Sequence, residues 1–144
     1  MQTPSGNTNS AVDTGLVLRI AAVGTTAVLT LYNGSDNPLK VLSHVDADDR
    51  HYDWFRIILA GTTETRLLHL YDDRDESGRV IVDLSPGASL AHVIDVVAWA
   101  KRKANGAKPL TPGSYRMSAT YEVSDPAPVW NGRLESPAVN ITIP

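Results

Sequence analysis

Short runs of β-type residues recur along this chain about every 10 residues, each closed by turn chemistry, and that rhythm is what most narrows the folds open to it. Leu16, Leu18, Ile20 and Ala22 alternate with Val17, Arg19 and Ala21, which is the period of a strand with one buried face. Residues 28–32 follow. The cluster Asn33-Gly34-Ser35-Asp36-Asn37-Pro38 then ends the run, because Gly and Asn accept positive φ and Pro38 lacks a ladder donor. Residues 39–45 resume the extended pattern and 46–53 interrupt it with polar side chains. The runs 54–60 and 65–71 flank Gly61-Thr62-Thr63-Glu64, and an acidic, turn-rich stretch at 72–78 precedes a further run at 79–84. Late in the chain Tyr115, Met117, Ala119 and Tyr121 form one face of a strand. Asn131-Gly132 reads as a hairpin turn, and Val139, Ile141 and Ile143 alternate with Asn140 and Thr142 in a single closing strand over 134–143.

Residues 88–106 satisfy two templates. Leu90, Val93, Ile94 and Val97 have helical spacing, with Lys101, Arg102 and Lys103 near the end and Gly106 after it. Read with period two, Leu90, His92, Ile94 and Val96 make one face of a strand rich in β-branched residues. The sequence is assigned a strand to about Val96 followed by a short helical turn through Ala104. With no repeat and no linker, the expectation is an all-β fold, an immunoglobulin-like antiparallel β-sandwich of eight or nine strands with one short helical turn. It occupies residues 15–144 as a single domain, after a polar N-terminal segment at 1–14.

Composition removes several functions. The 144 residues contain no cysteine, so disulfides, a thiol nucleophile, a thiolate zinc site and an iron–sulfur cluster are all excluded. Lys+Arg 13 against Asp+Glu 16 gives a net charge of −3, which offers no global attraction for nucleic acid or anionic lipid. No apolar run approaches the roughly 20 residues that span a bilayer, and residues 1–14 lack the charged and apolar regions of a signal peptide. The expectation is a soluble protein with no nucleic-acid or membrane partner, its localisation leaning cytoplasmic, although a mature secreted form would read the same.

Three stretches carry a resemblance. The run 31–42 (LYNGSDNPLKVL), the later Leu84-Ser85-Pro86-Gly87-Ala88-Ser89-Leu90 and Pro112-Gly113-Ser114-Tyr115-Arg116 look like parts of the β-sandwich domain that precedes the catalytic domain in deuterolysin-type (aspzincin) metallopeptidases. The resemblance spans residues 15–123 and implies the sandwich fold and a strand at 88–96. The peptidase half of that family carries a His-Glu-x-x-His zinc helix. Here His44, His51, His69 and His92 are neither followed by Glu nor spaced by four, so no catalytic residue carries over and the chain resembles the non-catalytic half alone.

The same four histidines are too scattered for a transition-metal site, and no metal or other cofactor is assigned. The acidic stretches 46–49 and 72–78 bring hard oxygen ligands together as calcium sites do. They miss the calcium-loop pattern, however, and Arg50 and Arg74 intrude. Neither a G-x-S-x-G elbow nor a phosphate-cradling glycine motif is present, so no enzyme activity is expected. The richest stretch is 46–54 (DADDRHYDW), where carboxylates, arginine and aromatic rings could clasp a sugar. Asp48, Asp49, Arg50, Tyr52 and Trp54, joined by Trp130 and Asn131 from a second aromatic turn, are the candidate ligand-binding residues. The opposing structural reading makes Trp54 the start of a core strand and Trp130 an edge plug. The expected function is a non-catalytic binding module, a small carbohydrate-binding lectin using the end loops of the sandwich. The alternative is a peptidase inhibitor or pro-domain-like protein-binding module. A glycan or protein ligand is the expected partner, and a third reading is a purely structural sandwich that forms a homo-oligomer by pairing through an edge strand.

Overall fold

A computed structural model of the chain describes residues 15–45, 51–71 and 78–144. These form an all-β, antiparallel sandwich, as the alternation requires. In chain order the strands are β1 (Leu16–Val23), β2 (Thr26–Asn33), β3 (Leu39–Val45), β4 (Phe55–Gly61), β5 (Thr65–His69), β6 (Arg79–Leu84) and β7 (Ser89–Asp95). The helix α1 (Val96–Ala100) and a 3-10 turn at Lys103–Asn105 follow, then β8 (Gly113–Val123), β9 (Gly132–Glu135) and β10 (Val139–Ile143). The first sheet has the order β1-β2-β7. The second runs β10-β8-β4-β5, with β9 pairing on β8, and β3 and β6 form a separate two-stranded ribbon.

The core lies where the inward positions of the two sheets meet. Leu16, Leu18, Leu29, Leu31 and Ile94 from the first sheet and Ile57, Leu59, Met117, Ala119 and Tyr121 from the second are all buried. Each occupies alternate positions of its strand, so a one-residue slip would turn the whole set outward, and this is what fixes the register. The ribbon is tied to the second sheet by buried polar bonds. Tyr121 donates its hydroxyl to the Leu42 carbonyl at 2.8 Å, and the Trp130 N–H donates to the Lys40 carbonyl at 2.8 Å. At the end of β2, Asn33 donates Nδ2 to the carbonyls of Leu84 and Asn37, both at 2.8 Å, which pins the start of the ribbon to the first sheet.

The region 88–106 resolves as a strand followed by a helical turn. Asp95 ends β7 and caps α1, its carboxylate accepting from the Ala98 N–H at 3.1 Å. Only one turn forms before the chain leaves helical geometry, and Gly106 closes the 3-10 turn with φ +80°. Five residues suffice to bury Val96, Trp99 and Ala100, with the Arg102 guanidinium lying 4.1 Å from the Trp99 ring centroid.

Two expectations are corrected. Ten strands are present among the described residues, because the closing run divides into β9 and β10 at residues 136–138. Pro137 supplies no ladder donor there, and Ser136 compensates. Its N–H donates to the Ala119 carbonyl at 2.9 Å and its hydroxyl accepts the Ala119 N–H at 2.9 Å. Nor is Asn131-Gly132 a two-residue hairpin turn. Gly132 already pairs with Val123 as the first residue of β9, at φ +146°, and the β8–β9 connection spans residues 124–131. Asn131 works inside that connection, where its Oδ1 accepts from the Asp125 N–H at 2.6 Å and its Nδ2 donates to the Val129 carbonyl at 2.9 Å.

Candidate functional site

The sequence-derived site divides when placed on the fold. Asp48, Asp49 and Arg50 lie outside the described residues. Tyr52 and Trp54 sit on the short turn that leads into β4, closed by the Phe55 N–H donating to the Tyr52 carbonyl at 2.9 Å, and both are half-buried. Trp130 is 7% exposed, its ring stacked on Tyr121 with centroids 5.6 Å apart, so most of its surface is spent on the core. Asn131 is exposed but commits its side chain to the turn described above.

Tyr52 joins a cluster that spacing along the chain conceals. Its ring centroid is 4.6 Å from that of His92 on β7 and 6.3 Å from that of His44 on β3. Between the two histidines lies Ser43, whose Oγ is 2.8 Å from His44 Nδ1 and 3.2 Å from His92 Nε2. Ser43 occupies the point where the β3–β6 register shifts, between Leu42 and His44. The shift lets both Leu42 and Ser43 be buried in succession, which is how a bulge redirects a side chain. A hydroxyl between two imidazoles has the composition of a nucleophile with its base. Ser43, however, is 1% exposed, and its neighbour His92 is itself packed against the rings of Tyr52 and Phe55, so the hydroxyl meets the core and not solvent.

Trp54 leads to a second grouping, on the outer face of the β5–β4–β8–β9 sheet. The Glu122 N–H donates to the Trp54 carbonyl at 2.9 Å, which continues the β4–β8 register by one residue. One step along, Arg56 of β4 stands directly opposite His69 of β5 on one side and Thr120 of β8 on the other. Glu122 links the row, its Oε1 lying 3.9 Å from both Arg56 and Arg133, and Arg133 also pairs with Glu135. These ion pairs are roughly half-exposed and contribute little stability. Their effect is to hold planar donors and acceptors side by side.

Within that row, Arg56 Nε and His69 Nδ1 are shielded from solvent and meet no hydrogen-bonding group among the described residues. Two such atoms on directly opposed residues are uncommon, because buried polar groups are nearly always satisfied. Burial first, and the Arg56 charge second, hold His69 below its ordinary value of 6.5. The imidazole is therefore neutral at pH 7, with one donor and one acceptor nitrogen. Tyr71 flanks it, ring centroids 5.4 Å apart. Sequence reading passed over Arg56 and His69 because they lie 13 residues apart and meet only through strand register; the sole local signal was a pair of polar residues on opposed outward positions.

Among the described residues no group of three or more histidine, aspartate or glutamate side chains is placed to hold a metal ion, and no helix is long and apolar enough to cross a membrane. No protein-family model and no curated protein sequence matches the chain, so neither comparison identifies a deuterolysin-type domain in it.

Proposed function

We propose that the protein is a non-catalytic binding module that takes a carbohydrate at the loop end of its second sheet, beside Trp54, Arg56, His69 and Glu122. The observation that carries this reading is the opposed pair Arg56 Nε and His69 Nδ1, shielded from solvent and without partners among the described residues. Sugar hydroxyls can accept from the half-exposed end of the Arg56 guanidinium and donate to the half-exposed Glu122 carboxylate, and a side-chain shift on binding brings the unsatisfied His69 Nδ1 within reach of a further hydroxyl. Half-buried Trp54 offers part of an indole face for the apolar side of a sugar ring. The burial of Ser43 away from solvent further favours binding over catalysis. In this reading Tyr52 and Trp130 support the end loops from within and do not touch ligand.

A monosaccharide panel followed by tryptophan emission and by calorimetry tests the reading. At least one sugar shifts the emission, and Arg56→Ala or His69→Ala weakens its binding tenfold or more while the far-UV spectrum is unchanged. Silence across the panel together with dose-dependent slowing of a metallopeptidase would replace the sugar reading with the inhibitor alternative.

A further inference from the structure

Independently of the carbohydrate reading, β7 is an outer strand of the first sheet, with one long side that no strand pairs among the described residues. Strands β2 and β7 are antiparallel, and the bonds at their two ends fix which residues face each other. The Asn33 N–H donates to the Ala88 carbonyl at 3.0 Å and the Val96 N–H to the Thr25 carbonyl at 3.2 Å. Antiparallel ladders alternate bonded and non-bonded pairs, so the even-numbered residues of β7 turn their backbone groups toward β2. Ser89, Ala91 and Val93 turn theirs the other way, as does the Asp95 N–H, while the Asp95 carbonyl starts helix α1; among the described residues no strand pairs on that side.

Two edges of the second sheet are guarded. The free side of β5 is covered by residues 99–111, through Asn105 on the backbone of His69 and through Arg66, which donates to the carbonyls of Asn105, Lys108 and Pro109. The β9–β10 edge is broken at Pro137. Strand β7 has no proline, no lysine, no bulge and no covering segment among the described residues, although open edges of this length ordinarily carry such devices. Its outward side chains are small, and Val93 is 67% exposed.

We infer that two copies join β7 to β7 about a two-fold axis through His92, extending the first sheet to six strands. The strand is complementary to itself in this register. Ser89 meets Asp95 of the second copy, a hydroxyl donor beside a carboxylate, and Ala91 meets Val93 of the second copy, covering the most exposed apolar side chain of the edge. The two-fold repeats both contacts, as an isologous interface must. A single strand pair buries little area, so the dimer is weak and concentration-dependent.

Sedimentation equilibrium from low micromolar to roughly millimolar protein reads this directly. The average mass climbs from 15.5 kDa toward twice that value, and the amides of Ala91 and Val93 exchange more slowly as concentration rises. Ala91→Pro deletes an N–H that points away from β2, so its far-UV spectrum matches wild type and its mass stays monomeric; Val93→Lys gives the same result by charge. A wild-type mass that stays at 15.5 kDa throughout, or an Ala91→Pro variant that dimerises like wild type, overturns the inference.

Discussion

Asn105 replaces a missing neighbouring strand for His69: its Oδ1 accepts the His69 N–H at 2.7 Å and its Nδ2 donates to the His69 carbonyl at 2.8 Å. The same Nδ2 donates to the Trp99 carbonyl at 2.9 Å, so one amide both closes the β5 edge and anchors the end of α1. Asn105→Ala leaves three half-buried backbone groups without this partner. The expected cost is about 2–4 kcal/mol in urea unfolding, accompanied by faster aggregation as the edge opens. An unchanged midpoint would show that solvent replaces the amide without penalty.

Tyr121 makes a separable contribution. Its ring packs against Phe55 and Trp130, with centroids 4.6 Å and 5.6 Å away, while its hydroxyl bonds the Leu42 carbonyl in the interior. Tyr121→Phe keeps the ring and strands that carbonyl, for a loss of about 1–2 kcal/mol. Burial raises the Tyr121 hydroxyl pKa well above its usual 10, so alkaline difference spectra should show this phenol ionising only as the protein unfolds.

The opposite end of the sandwich is held by a carboxylate. Glu64 Oε2 accepts the Thr111 N–H and the Tyr115 hydroxyl, both at 2.9 Å, while Gly61 makes room for the tyrosine ring: a Cβ there would come within 2.7 Å of it. The Thr111 N–H first, and the Tyr115 hydroxyl next, lower Glu64 from 4.5 to about 2. A depressed carboxylate stabilises the fold fully above its unfolded value and loses that contribution as pH falls through the folded one. Stability should therefore decline between about 4.5 and about 2, and Glu64→Gln should flatten that part of the acid-unfolding profile.

The sheets were legible in the sequence wherever burial alternates. Leu16, Leu18 and Ile20, or Tyr115, Met117 and Tyr121, announce their strands because one face of each meets the core. Even the ambiguous 88–106 segment resolves once the β-branched run is weighed against a helix short enough to end at Ala100. What stayed hidden depends on register between distant strands. Ser43 is inward only because β3 bulges, and His69 meets Arg56 only because β4 and β5 pair at that step. Trp130 misleads for another reason: an aromatic next to Asn-Gly has the composition of a binding turn, yet stacking on Tyr121 buries it.

Proton binding at His69 offers a probe of its row that needs no ligand. Burial is the larger cause of its lowered pKa and the Arg56 charge the smaller. Arg56→Met removes the charge and should raise the His69 titration midpoint, followed by the ring-proton shift in NMR, part of the way toward 6.5. Arg56→Lys keeps the charge and should move it less. Because the folded value lies below the unfolded one, the neutral ring favours the fold above about pH 6.5, and stability falls as pH drops from there through the folded value. Arg56→Met should narrow that window. A midpoint indifferent to both substitutions would mean that the guanidinium does not act on the imidazole, and the row would lose its claim to be one site.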